Sequence, residues 1–198
     1  MVHKAEESDW QALRREWRST RRVIAATLAV LWLVELFDLL ILHGALDRFG
    51  VHPRDLNGLI GVLTHPFLHG GLGHLISNSI GILTLGTLVA AHGRGRWALI
   101  TLVATLLGGL GIWLIGASGS NHIGASGVVF AYFGYLLTAG LFERRFGSIL
   151  LSVVVLLLWG GMIFGVLPGQ VGISWEGHLF GFLAGVLMAR VLARRERD

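Results

Sequence analysis

Six apolar stretches, each about 18 to 20 residues long, leave this chain very few folds to choose from. A helix of that length crosses a hydrocarbon core of roughly 30 Å, and within such a core only helices and closed barrels satisfy their own backbone polar groups. The stretches fall at 23–42, 72–91, 97–115, 123–142, 148–166 and 177–193 and take up about 115 of the 198 residues. The predicted fold is therefore all-α: a polytopic membrane protein built as a bundle of six transmembrane helices. The polar remainder, in seven short pieces, is too small and divided for a second domain. Charged residues make up 14% of the chain, against roughly 25% in soluble domains, which excludes an ordinary cytosolic fold. Cysteine is absent, so disulfides, a thiol nucleophile and Cys-ligated metals are excluded together. Glycine is abundant at 29 residues with only 3 prolines, a balance that suits closely packed helices.

The basic residues orient the bundle. Fourteen of the sixteen Lys and Arg lie in the leader, in the second and fourth connections and in the tail; only Arg48 and Arg54 lie on the other side. With six crossings, the positive-inside rule puts both termini in the cytoplasm. The net charge of +4 is then a topology signal and gives no reason to invoke nucleic acid. The expected organisation is a basic leader over 1–22, a transmembrane domain over 23–193 and a short basic tail over 194–198. The leader and first apolar run are together too long for a cleavable signal, so the first span is expected to be retained. In the leader, Trp10, Leu13 and Trp17 recur at helical spacing among Arg14, Arg15 and Arg18, which suits a helix on an anionic surface. In the first outer connection, Leu56, Leu59, Ile60 and Leu63 repeat at helical spacing, so that loop is expected to dip into the outer interface.

Polar side chains inside spans are costly and mark function. Three groups stand out: His69, His74 and Asn78 at the opening of the second span, Ser126 at the opening of the fourth, and His178 at the opening of the sixth. Even-numbered spans all begin on the outer side in this topology, so the three groups share one depth. Ser126 sits among Gly124, Ala125 and Gly127, where small neighbours allow close approach and a helix start offers free N–H groups. Gly177, Gly181 and Gly185 form a small-residue ladder that can pack on Gly127, Ala131 and Gly134 and bring His178 to Ser126. A serine hydroxyl needs such an adjacent base to become a nucleophile. His74 and Asn78, four apart, share a helix face, and both can donate to an oxyanion.

The same residues admit plainer readings. A serine in a small-residue cluster is commonly a packing residue, and Gly116–Gly119 repeats the tetrapeptide with Ser118 in place of Ser126. No apolar helix follows that copy directly, so Ser126 is the preferred nucleophile. His65, His69 and His74 could hold a metal, yet no H-E-x-x-H and no carboxylate falls within the run, so no metal or other cofactor is expected. Glu176, two residues from His178 on one helix, would point away from it. Glu35 and Asp38 in the first span have no evident role in the sequence.

Together these motifs resemble the rhomboid family of intramembrane serine proteases: His69, His74 and Asn78 match H-x4-H-x3-N, followed by Gly-Ala-Ser-Gly and Gly177-His178. The resemblance implies a Ser126 nucleophile, a His178 general base, and an oxyanion held by His74, Asn78 and the Ser126 N–H. It implies support from His69 and from Phe130, which stands where relatives often carry tyrosine. It further implies Ile60-Gly61 where many relatives carry Trp-Arg, substrates that are membrane proteins whose transmembrane helix unwinds near the outer face, and a cell-membrane location. Two other functions share part of the pattern. An inactive relative that binds membrane helices would lack Ser126 or His178, and a small transporter would carry polar groups through the whole membrane depth.

Overall fold

The computed structural model describes residues 2–170 and 172–195, with side chains from residue 9 onward. Among the described residues six helices are long and apolar enough to cross a membrane: Asp9–Leu42, Leu72–Ala91, Arg94–Ile115, Ser126–Glu143, Phe146–Val166 and Trp175–Arg195. The protein is a multi-pass membrane protein of helical-bundle type. The second span coincides with its predicted range and the others agree within a few residues, except at the start of the first. There the helix runs unbroken over Val2–Phe37, about 54 Å at 1.5 Å per residue, so the leader and the first span form one helix with no break at residue 22. The end of the basic tail, 196–198, lies outside the described residues.

The fourth and sixth spans form the centre. Two thirds (67%) of the fourth span's most apolar window is buried, against 11% in the fifth. Their contact is a backbone-to-backbone approach that only glycine permits. A Cβ at Gly181 would stand 2.0 Å from the Gly127 carbonyl oxygen, one at Gly185 2.0 Å from that of Ala131, and one at Gly134 2.4 Å from that of Phe182. Of the ladder read from the sequence, Gly181 and Gly185 form the packing seam and lock the register of the two helices, whereas the missing Cβ of Gly177 faces Ile112 of the third span at 2.8 Å. The fifth span, by contrast, ends in a 3-10 stretch over Gly160–Val166 with no buried residue.

The connection between the first and second spans folds as short helical turns, Asn57–Ile60 and Gly61–Thr64 among them. Leu56, Ile60 and Leu63 are exposed along it. Its anchors are polar. Val51 and His122 exchange backbone hydrogen bonds of 2.9 and 3.0 Å, Thr64 Oγ1 donates to the Phe49 carbonyl, and Trp113 Nε1 donates to the Asp55 carbonyl at 2.8 Å. Gly61 lies against Gly50, where a Cβ would meet the Gly50 carbonyl oxygen at 2.1 Å. A small residue is therefore required at position 61.

At the opposite end of the bundle, Arg96 donates to Tyr135 at 2.7 Å and pairs with Glu143 at 3.3 Å. Ser148 donates to the other oxygen of the same carboxylate. Four side chains from the third, fourth and fifth spans tie that end together.

Candidate active site

Gly124 sets the geometry. Its φ of +116°, costly for any residue with a Cβ, turns the chain so that the fourth helix begins at Ser126 rather than at the predicted residue 123. As first residue of a helix, Ser126 stands among backbone N–H groups without intrahelical acceptors. The missing Cβ of Gly124 matters as well: one there would lie 2.5 Å from His74 Nε2 and 3.4 Å from Asn78 Nδ2. Both side chains therefore rest against the backbone two residues before the serine.

His178, on the first turn of the sixth span, places Nε2 2.8 Å from Ser126 Oγ. Its Nδ1 lies 3.0 Å from the Gly165 carbonyl. A carbonyl can only accept, so Nδ1 carries the proton, Nε2 is bare, and the serine hydroxyl must donate to it. The ring is also stacked face to face on Phe130, with centroids 4.0 Å apart and planes 10° from parallel. Gly165 is small for a reason, since a Cβ there would stand 2.7 Å from Phe130 Cζ. Among the described residues no carboxylate orients the imidazole; a backbone carbonyl and an aromatic face do so. Gly181 brings the sixth helix and with it His178 into range through the seam described above, Gly127 admits the Gly177 carbonyl, from which a Cβ would stand 3.1 Å, and the missing Cβ of Gly177 itself makes room for Ile112 of the third span.

A cavity of about 820 Å³ opens beside this pair, lined by His74, Asn78, Ser126, Trp159, Met162 and His178 among others. Asn78 is 5% exposed, yet its Nδ2 has no hydrogen-bond partner among the described residues. A buried donor left without an acceptor carries a desolvation penalty of about 1–3 kcal/mol, and functional sites are where such penalties persist. His69 lies on the loop before the second span, 1% exposed, edge-on to His74 with ring centroids 5.1 Å apart. Burial, with His74 next in effect, pulls its pKa from the ordinary 6.5 to about 4, so it is neutral at physiological pH. His65 is turned elsewhere, its Nδ1 2.9 Å from the Gly61 carbonyl.

Ser118 lies apart from this group. Its hydroxyl accepts from Arg54 at 2.6 Å, and the same guanidinium donates to the carbonyls of Leu114 and Gly116. That copy of the tetrapeptide is a loop knot.

Several residues of the site escaped the sequence reading. Gly165 acts through a backbone carbonyl, which leaves no trace in residue type. His122 bridges Ser120 at 2.6 Å and Ser174 at 2.7 Å. Because the Ser120 hydroxyl is committed to the Ala117 carbonyl, His122 Nε2 donates to Ser120 and Nδ1 accepts from Ser174. Burial lowers the pKa of His122 and so favours this neutral form. A histidine in a Gly/Ser turn was the available signal. Glu35 and Asp38 also find roles: Glu35 Oε1 accepts from the Gly71 amide at 3.0 Å, and Asp38 Oδ1 from the Leu46 amide at 2.9 Å.

A six-helix bundle with a polar cavity at one end, opened by a Gly-Ala-Ser-Gly turn and a Gly-His helix start, defines a class of membrane-embedded proteins. The family model of the rhomboid domain matches residues 57–195, and the chain belongs to the rhomboid family. An uncharacterised protein of Mycobacterium tuberculosis is 42% identical over 192 residues, covering 93% of this chain and 80% of that protein. The rhomboid protease GlpG of Yersinia enterocolitica is 33% identical over 154 residues, 74% of this chain and 54% of GlpG. The rhomboid protease GluP of Bacillus subtilis is 31% identical over 137 residues, 66% of this chain and 25% of GluP.

Proposed function

We propose that the protein is an intramembrane serine endopeptidase that cleaves transmembrane segments of membrane proteins with a Ser126–His178 dyad. The observation that carries this reading is the 2.8 Å contact between Ser126 Oγ and His178 Nε2, with the proton placed on Nδ1 by Gly165 and an unpartnered Asn78 amide in the same cavity. Ser126 Oγ attacks the scissile carbonyl and gives its proton to His178 Nε2. The carbonyl oxygen becomes an oxyanion, which Asn78 Nδ2, a His74 ring N–H and the Ser126 N–H stabilise. Collapse expels the amine, which takes the proton from His178, and leaves an acyl ester on Ser126. Water, deprotonated by the same imidazole, then releases the acid and restores the serine.

A substrate helix must unwind to present its backbone, and extended backbone at membrane depth is tolerated only where it lines a protein cavity. The weakly buried fifth span, with Trp159 and Met162 on the cavity wall, is the side of entry this reading favours. The charge bias puts both termini in the cytoplasm and the site toward the extracytoplasmic face. The leader over 1–22 and tail over 194–198 then flank a protease domain over 23–193. Bacterial relatives support a bacterial plasma membrane.

The test is labelling of the purified full-length chain with a fluorophosphonate, followed by peptide mapping. Label on Ser126, lost in His178→Ala, is the expected result. An unlabelled chain that still binds a single-span reporter protein would instead make it an inactive helix-binding relative.

A further inference from the structure

The first span buries a carboxylate that the proposed chemistry does not use. Glu35 is 3% exposed, sits within a membrane-spanning helix, and has no Lys or Arg paired with it among the described residues. A carboxylate placed there is expensive, so what it touches is informative. Its Oε1 accepts from the Gly71 amide at 3.0 Å, and the His69 backbone amide also faces the carboxylate. Gly71, at φ +114°, is the hinge where the His69 loop becomes the second span, whose first internal bond runs from Leu75 N to Gly71 O at 3.1 Å. His74 is the third residue of that helix and Asn78 lies one turn further on. His69, two residues before the hinge, packs edge-on against His74. Through Gly71, Glu35 therefore holds both parts of the oxyanion wall, the helix that bears its donors and the loop ring that backs them. A negative group at a helix N-terminus is also favoured by the aligned peptide dipoles.

We propose that Glu35 is a positioning residue: its carboxylate oxygen, by accepting the Gly71 amide, fixes the start of the second span and so the placement of His74 and Asn78 against Ser126. This rests on the serine-protease reading above. What matters in this account is the acceptor at its full reach, and the negative charge is secondary. Glu35→Gln keeps that acceptor, whereas Glu35→Asp keeps the charge but is one methylene shorter.

The experiment compares wild type, E35Q and E35D as full-length protein in detergent. It measures kcat and KM on a single-span reporter, the rate of fluorophosphonate labelling, thermal unfolding, and hydrogen exchange of residues 69–75. In E35D, kcat and labelling rate should fall about tenfold to a hundredfold with KM little changed, as expected for a displacement on the scale of 1 Å. Exchange over 69–75 should rise while residues 126–143 stay protected. E35Q should stay within about threefold of wild type in kcat and keep its protection. The proposal is overturned if E35D matches wild type, if E35Q is impaired as much as E35D, or if E35D does not fold while E35Q does, which would make Glu35 a determinant of folding alone. Failure of the wild type to label would sink the protease reading instead, and the exchange comparison would still decide whether Glu35 holds the loop.

Discussion

At one end of the bundle Arg96, Tyr135, Glu143 and Ser148 satisfy one another across three spans. At the other end Asn78 Nδ2 is buried with no hydrogen-bond partner among the described residues. The two clusters lie in one protein and in similar surroundings, but only the first is complete. A finished network holds helices together; an unfinished one keeps donors ready for a charge that arises during reaction. The difference implies that damage at the first end should appear in stability and damage at the second in rate.

The strongest test of that division is the dyad. Ser126→Ala and His178→Ala should each reduce cleavage of a single-span reporter at least about 10³-fold while thermal unfolding in detergent stays near that of wild type. Parallel losses of activity and melting temperature would erase the contrast. Asn78→Ala should lower kcat by about 10²–10³ with stability within about 1 kcal/mol of wild type, because the lost amide had no partner. A large drop in melting temperature would assign Asn78 to the fold. Glu143→Gln should do the reverse, weakening the Arg96 network by about 1–3 kcal/mol with kcat per folded molecule unchanged.

Acid should act on the histidine-rich end. His65 and His69 have folded-state pKa values of about 4, below the ordinary 6.5. The unfolded chain therefore binds more protons between these values, and stability should be complete above about 6.5 and fall as pH drops toward 4. A melting temperature flat across that window would contradict the burial of these rings. The smallest effect is expected at Ser118→Ala, which loosens a loop knot and should alter kcat less than about twofold; a large loss there would point to the other tetrapeptide.

Much of the architecture was legible in the chain because its signals are local. Apolar runs of bilayer length, glycines at every fourth position, and isolated polar side chains at helix starts each read directly as a span, a seam or a candidate site. The pairing of Ser126 with His178 followed from adding these together, since a face of small residues on each of two helices permits one close approach. Gly165, His122 and Glu35 were not legible in this way. Gly165 contributes a carbonyl that every residue type carries. His122, in a turn, and Glu35, alone in the first span, reach Ser174 and the Gly71 amide, and no matching small-residue faces point to those partners as they do for Ser126 and His178.

The sequence alone determined the number of spans, their antiparallel order and the residue types gathered at one end, because hydropathy and helical periodicity are properties of neighbouring residues. Tertiary structure alone decided which histidine nitrogen faces the serine, which amide is left without an acceptor, and where the first span's carboxylate is directed. Those outcomes depend on distances of about 3 Å between segments far apart in the chain, which only the packed bundle sets.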